Sequence, residues 1–236
     1  MANREDLNKS VESFILNKSH DYVYSISDLI FLRKYDKCED SDLKEAVVFK
    51  KVWEMASKMK EDVAAEDRFN GDVLVTHGGS GKALTSAPEG ASFHVMNNDY
   101  FCHEITKALT SGRQKDNYVR YDFGTIAEYF YIGNTKGMPS YDLVITHPPA
   151  QCRFAEFDFD EVMSQHGEKD ARSYYAVRSF AFVREGGTLM VIVPRKEYLQ
   201  THERIVGLLF HIEGATFDFD VPQNVGKDYI LKYTRV

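Results

Sequence analysis

The chain of 236 residues has only three cysteines, Cys38, Cys102 and Cys152, unevenly spaced and without a CxxC pair. That excludes an even-numbered disulfide framework, and with no secretion signal recognisable at the N-terminus it makes a reducing cytoplasm the expected setting. No apolar run approaches the ~18–20 residues of a helical membrane span, so no membrane partner is expected. Positive charge is also in deficit: 29 Lys and Arg stand against 36 Asp and Glu, a formal charge of −7. This argues against tight, sequence-independent attachment to a nucleic-acid backbone, which needs clustered cations. It leaves room for a local basic patch and for an enzyme that borrows affinity from a partner. There is no internal repeat and no low-complexity linker.

What is present is the composition of a folded globular protein, 43% hydrophobic and 13% aromatic. The length fits one large domain, or one domain with a small appendage. The chain reads in two parts, residues 1–70 and 71–236. In the first, Leu43, Val47, Val48, Val52, Trp53, Met55, Ala56 and Met59 recur at helical intervals behind a cap at Ser41 or Asp42, and Asn70-Gly71 is a stop. A helical N-terminal extension is expected there.

After Gly71, strands and helices alternate. The β-rich runs are Asp72–Thr76, Ser92–Met96, Asn117–Tyr121, Tyr141–Ile145, Thr188–Val193, Thr216–Val221 and Asp228–Val236. Helical patterns follow Ser92–Met96, cover Ser173–Val183 with Gly186-Gly187 as a stop, and cover Glu197–His211. Alternation of this kind predicts a mostly parallel sheet with helices on both faces, closed by an antiparallel pair from the last two strands.

Two loops carry the candidate chemistry. Thr76-His77-Gly78-Gly79-Ser80-Gly81-Lys82 turns tightly after the first strand, as glycines allow; it serves equally as an ordinary strand-to-helix turn or as a cofactor turn. Lys82 is not followed by Ser or Thr, so a phosphate loop is a poor fit. The fourth strand runs into Thr146-His147-Pro148-Pro149-Ala150. Neither proline has an N–H to continue a ladder, so the chain leaves the sheet in a stiff bend. In a parallel α/β sheet the carboxyl ends of the strands are where ligands bind.

This order of features resembles class I S-adenosylmethionine-dependent methyltransferases, in particular the N6-adenine DNA methyltransferases and the modification subunits of restriction systems. The likeness covers about residues 72–236, and Glu185-Gly186-Gly187-Thr188-Leu189-Met190-Val191-Ile192-Val193-Pro194 matches it well. It implies a Rossmann-like three-layer α/β sandwich with a helical N-terminal extension, and S-adenosylmethionine as the cofactor. Carried over by position, the cofactor would meet His77, Gly79 and Gly81 in the turn, Asn97 after the second strand and Asp122 after the third. The reacting loop would be His147, Pro148 and Pro149.

The departures from the family pattern concern its reactive positions. Val75 stands where the family has an acid, and His77 where it has a small residue. Asn97 replaces the carboxylate that holds the ribose, unless Asp99 serves in a register shifted by two. In the family an Asn side chain and the backbone carbonyl after it accept hydrogen bonds from the target amine, and an aromatic residue stacks on the base. Here those positions are His147 and Ala150. Stacking is worth roughly 1–3 kcal/mol per base, and only Phe154 or Phe157, off the family spacing, could replace it. No separate target-recognition domain is expected after the last strand, so a nucleic acid or a protein partner supplying target recognition is expected. The resemblance therefore supports two functions. One is a methyltransferase-fold protein with degenerate motifs and a binding or scaffolding role. The other is an active methyltransferase acting on an amino group of nucleic acid or protein through a non-standard loop.

Three further features lie outside the family pattern. His77 and His147 follow strands expected to be neighbours, which would place them at one crevice, with Cys152 and His103 nearby. No third metal ligand is evident, and two unrelated loop histidines are the plainer alternative. Arg195-Lys196 at a strand end would meet an anion or simply solvent. The acids of Phe157–Asp160 and Phe217–Asp220 are read as the wet side of a strand.

Overall fold

The structure is a computed structural model that describes residues 42–59, 71–78, 81–85, 87–88, 90–97, 103, 106–107, 119–123, 140–148, 170–213 and 215–236. Helix α1 is Asp42–Ser57. Strands β1 (Asp72–Val75), β2 (Ser92–Asn97), β3 (Val119–Phe123) and β4 (Tyr141–Thr146) follow, with the short helix α2 (Lys82–Thr85) between β1 and β2. Then come α3 (Ala171–Phe180), β5 (Val183–Pro194) and α4 (Tyr198–Leu208), which continues into a π turn over Leu209–Glu213. The short strands β6 (Phe217–Phe219) and β7 (Gln223–Val225) precede β8 (Asp228–Arg235).

The strands form one sheet in the order β3-β2-β1-β4-β5-β8-β6, with β7 also on β8. The first five pair in parallel, and β8 runs antiparallel to β5, β6 and β7. The order reverses between β1 and β4, which is the topological switch point where such sheets bind ligands.

Both faces of the sheet are covered, so its central strands read as nearly continuous apolar runs. Leu74, Val144, Leu189, Val191 and Leu231 join Tyr174, Val177 and Phe180 of α3 and Ile205 of α4 on one face. Val73, Val75, Phe93, Leu143 and Ile192 join Val48, Val52 and Trp53 of α1 and Leu84 of α2 on the other. Trp53 ties that second layer together: its Nε1 donates to the Ala83 carbonyl at 2.8 Å, and its ring meets Phe93 edge-on at 5.7 Å. Helix α1 thus shares the core of the sheet. The sequence patterns at residues 1–41 and 60–70 lie outside the described residues.

Two sequence expectations change. The helix expected over Ser173–Val183, with Gly186-Gly187 as its stop, instead covers Ala171–Phe180, behind an N-cap in which Asp170 accepts from the Ser173 N–H at 3.1 Å. The glycine pair lies inside β5 instead, at an irregularity opposite Tyr141 and Leu143. Gly186 has φ +73°, and a Cβ on Gly187 would come within 2.9 Å of the Tyr141 carbonyl oxygen. The pair therefore lets β5 bend closely past β4, a task that needs the same residues as a helix stop. Strand β7 is an addition. It forms a two-residue hairpin with β8 through Gly226 and Lys227, with Gly226 at φ +65°.

Candidate functional site

The switch-point crevice is built by register. Val75 pairs with Ile145, and the Thr76 N–H donates to the Ile145 carbonyl at 3.1 Å. The next residues, His77 and His147, therefore leave neighbouring strands at the same edge, and the structure brings the two histidines together. His77 Nδ1 lies 3.2 Å from Thr76 Oγ1 and 3.3 Å from Thr146 Oγ1, and the Ser179 hydroxyl of α3 donates to Thr76 Oγ1 at 3.3 Å. Ser179, Thr76 and Thr146 are all buried. A Thr76 hydroxyl that accepts from Ser179 is free to donate onward to His77 Nδ1, which assigns the proton of the neutral ring to Nε2. That Nε2 is enclosed and has no hydrogen-bond partner among the described residues. The ring packs edge-on against Tyr175 at 4.3 Å.

Burial is the main reason both imidazoles stay uncharged. It lowers the pKa of His77 to about 3, with the nearby His147 adding to the effect. Burial also lowers His147 to about 4, helped by the Arg172 guanidinium. Among the described residues no group of three or more His, Cys, Asp or Glu side chains is placed to hold a metal ion. His103 sits against Tyr121 of β3, ring centroids 6.4 Å apart, and Cys152 lies outside the described residues.

On the β2 side, the glycine turn is packed onto the protein itself. The Gly78 N–H donates to the Met96 carbonyl at 3.0 Å. A Cβ on Gly78 would collide with the Val95 side chain and lie 3.0 Å from Asn97 Nδ2. Gly81 has φ +82°, and its Cβ position lies 3.1 Å from Thr106 Cγ2. Asn97 is buried at 4% exposure and donates its amide to Thr106 Oγ1 at 3.3 Å. The backbone of Asp122 pairs with Met96. Its side chain lies outside the described residues, as do Gly79, Asn98 and Asp99. The role of Gly78 has a sequence signal, since two consecutive glycines offer two candidates for the close approach.

On the β4 side, His147 meets Phe49 of α1 edge-on at 6.5 Å. The Pro148 carbonyl accepts from Arg172 Nη1 at 3.0 Å, and Arg172 Nε donates to Glu197 Oε2 at 2.8 Å. Arg172 is 7% exposed. It lies in the first turn of α3 and ties the loop after β4 to the turn after β5. No local pattern marks it, because its partners are 24 and 25 residues away. Pro149, Ala150, Phe154 and Phe157 lie outside the described residues. Arg195 and Lys196 are exposed, and Lys196 pairs with Glu197 at 3.4 Å.

No family model and no curated sequence matches the chain. Solved structures with the same fold do. A protein from Listeria monocytogenes assigned as a class I S-adenosylmethionine-dependent methyltransferase superposes with TM-score 0.58 at 11% identity, over 100% of this chain and 76% of that one. A modification subunit assigned to a type I restriction enzyme of Vibrio vulnificus YJ016 gives 0.60 at 12% identity, over 100% of this chain and 50% of that one. TrmN from Thermus thermophilus gives 0.51 at 13% identity, over 81% of this chain and 48% of that one. The chain thus spans about half the length of the last two. Its fold is that of the class I S-adenosylmethionine-dependent methyltransferases, as the order of sequence motifs predicts.

Proposed function

We propose that this protein has kept the methyltransferase fold while its reacting and cofactor positions have turned to internal packing, and that it acts by binding, as a scaffold in a nucleic-acid modification complex. The observation that carries this reading is the Arg172 guanidinium on the Pro148 carbonyl, 3.0 Å away. Where an amine is methylated, the carbonyl after the Asn position accepts a hydrogen bond from the amine, and the nitrogen gains positive charge as the methyl group arrives. A buried cation bonded to that carbonyl competes for the acceptor and opposes the new charge. The same charge already disfavours protonation of His147.

The cofactor side supports the reading. The described residues do not fit S-adenosylmethionine as the family holds it. Val75 is buried and apolar in the acid position. Asn97, in place of the ribose carboxylate, spends its amide on Thr106. The space in front of Gly78 is filled by Val95 and Asn97. His77 fills the small-residue position with a ring wedged on Tyr175.

Calorimetric titration with S-adenosylmethionine and with its demethylated product tests the proposal. The expected result is no saturable binding up to millimolar cofactor. Saturable binding in the micromolar range overturns it and favours an active enzyme with a His-Pro-Pro-Ala loop, acting on an amino group of nucleic acid, adenine N6 included, or of protein.

A further inference from the structure

Among the described residues the sheet ends at β6, which pairs only with β8. The Val236 N–H donates to the Thr216 carbonyl at 3.0 Å and the Asp220 N–H to the Lys232 carbonyl at 3.2 Å, with Asp218 opposite Thr234 between them. Residues 216, 218 and 220 therefore aim their main-chain groups at β8, and the alternation of an antiparallel strand turns those of Phe217 and Phe219 outward. Those outward N–H and C=O groups have no strand partner among the described residues.

The side chains alternate as well. Phe217 packs on Phe180 and Tyr233, and Phe219 meets His202 of α4 edge-on at 5.2 Å, so the rings lie on the α4 face. Asp220 pairs with Lys232 at 2.7 Å on the opposite face, which Asp218 shares by period two. Phe219 is 55% exposed, Val221 79%, and Leu199, one helical turn before His202, 57%. Asp218 is exposed and makes no ion pair among the described residues. Native edges are usually blunted by lysine, proline or bulges. Among the described residues this one offers an unpaired ladder, apolar side chains on one face and, on the other, the Asp218 carboxylate beside the Asp220–Lys232 ion pair.

We infer that β6 takes an extended segment of a partner protein as an added strand, one in which Lys or Arg alternates with large apolar residues. Main-chain bonds to Phe217 and Phe219 would hold the segment. Its apolar side chains would lie beside Phe219 and Leu199, and its cations beside Asp218, the carboxylate on that face that Lys232 does not already pair. A second copy of this chain is a poor occupant, because two-fold pairing about Asp218 sets like charges opposite each other. The edge is built from other elements than the β1–β4 crevice, so its occupancy is independent of whether the crevice binds a cofactor.

The test uses the full chain and a short capped peptide alternating lysine with valine, followed by NMR titration. Saturable binding with shifts centred on Phe217–Phe219 is expected. A peptide alternating glutamate with valine should bind at least about tenfold more weakly, equivalent to about 1.4 kcal/mol. So should a lysine–valine peptide of the same composition in block order. Phe219→Pro removes an outward N–H without touching the ladder to β8, and should weaken binding by a similar factor. Asp218→Lys, a surface change that keeps the test alive if the proline variant does not fold, should reverse the preference between the two alternating peptides. Equal binding of all three peptides, shifts elsewhere, or no saturable binding overturns the inference. So does a concentration-dependent dimer that Phe219→Pro abolishes, which would assign the edge to a second copy.

Discussion

The β1–β4 crevice and the β6 edge treat their polar groups in opposite ways. In the crevice, Asn97 is bonded to Thr106, Thr76 to Ser179 and the Pro148 carbonyl to Arg172, while the His77 Nε2, without a partner among the described residues, is enclosed. At the edge, the outward main-chain groups of Phe217 and Phe219 and the carboxylate of Asp218 have no partner among the described residues. A fold of this class ordinarily presents its switch point and protects its edges. The inversion teaches that the two ends of one sheet can exchange roles when side chains, rather than topology, decide what is accessible.

Acid is expected to show the largest difference between them. His77 and His147 have folded pKa values near 3 and 4 against an ordinary 6.5. The unfolded chain therefore takes up their protons first as pH falls. Stability should be flat above about 6.5 and drop below it, by up to about 1.4 kcal/mol per pH unit for each histidine, until about pH 4. Urea melts across that range would check this; His77→Gln should reduce the slope, and His77→Gln combined with His147→Gln should flatten it. A slope that the double variant leaves intact would place the acid-sensitive groups outside the crevice.

Arg172→Met comes next. It leaves the Pro148 carbonyl and Glu197 without their buried donor, and should cost about 2–3 kcal/mol in a denaturant melt. A structural loss alone would stop there. Removal of the charge should also raise the His147 pKa, which an NMR titration of the imidazole would report. Gly78→Ala forces a methyl group into Val95 and should cost about 1–3 kcal/mol. If it is neutral, the turn is not packed onto β2 as described.

The smallest effect should come from the edge. Asp218→Ala should change stability by no more than about 0.5 kcal/mol. A larger loss would mean that this carboxylate already has a structural partner and that the two regions are less different than described.

The fold was legible where hydrophobic period and loop chemistry agreed. The runs Val73–Val75, Leu143–Ile145 and Leu189–Val193 marked buried parallel strands, and their order marked the fold. Gly186-Gly187 was misread because a helix stop and a strand bulge ask for the same residue, and only the Tyr141 carbonyl decides between them. Strand β7 was missed because Gln223-Asn224-Val225 has no apolar pattern and is specified by the Gly226 turn after it. In the site, adjacency of His77 and His147 was inferable from strand order. Arg172 was not, since a contact across 24 residues leaves no local trace. Nor was the inward turn of Asn97 toward Thr106, which depends on packing.

One consequence of the strand order concerns time. Strand β8 lies between β5 and β6, yet it follows both in the chain. During synthesis β6 and β7 are made before β8, their strand partner among the described residues, and β5 is made before its antiparallel neighbour. Asp228–Arg235 then fills the gap and fastens three strands at once. The antiparallel third of the sheet should thus assemble in a single late event, and the β6 edge comes into being only when that event is complete.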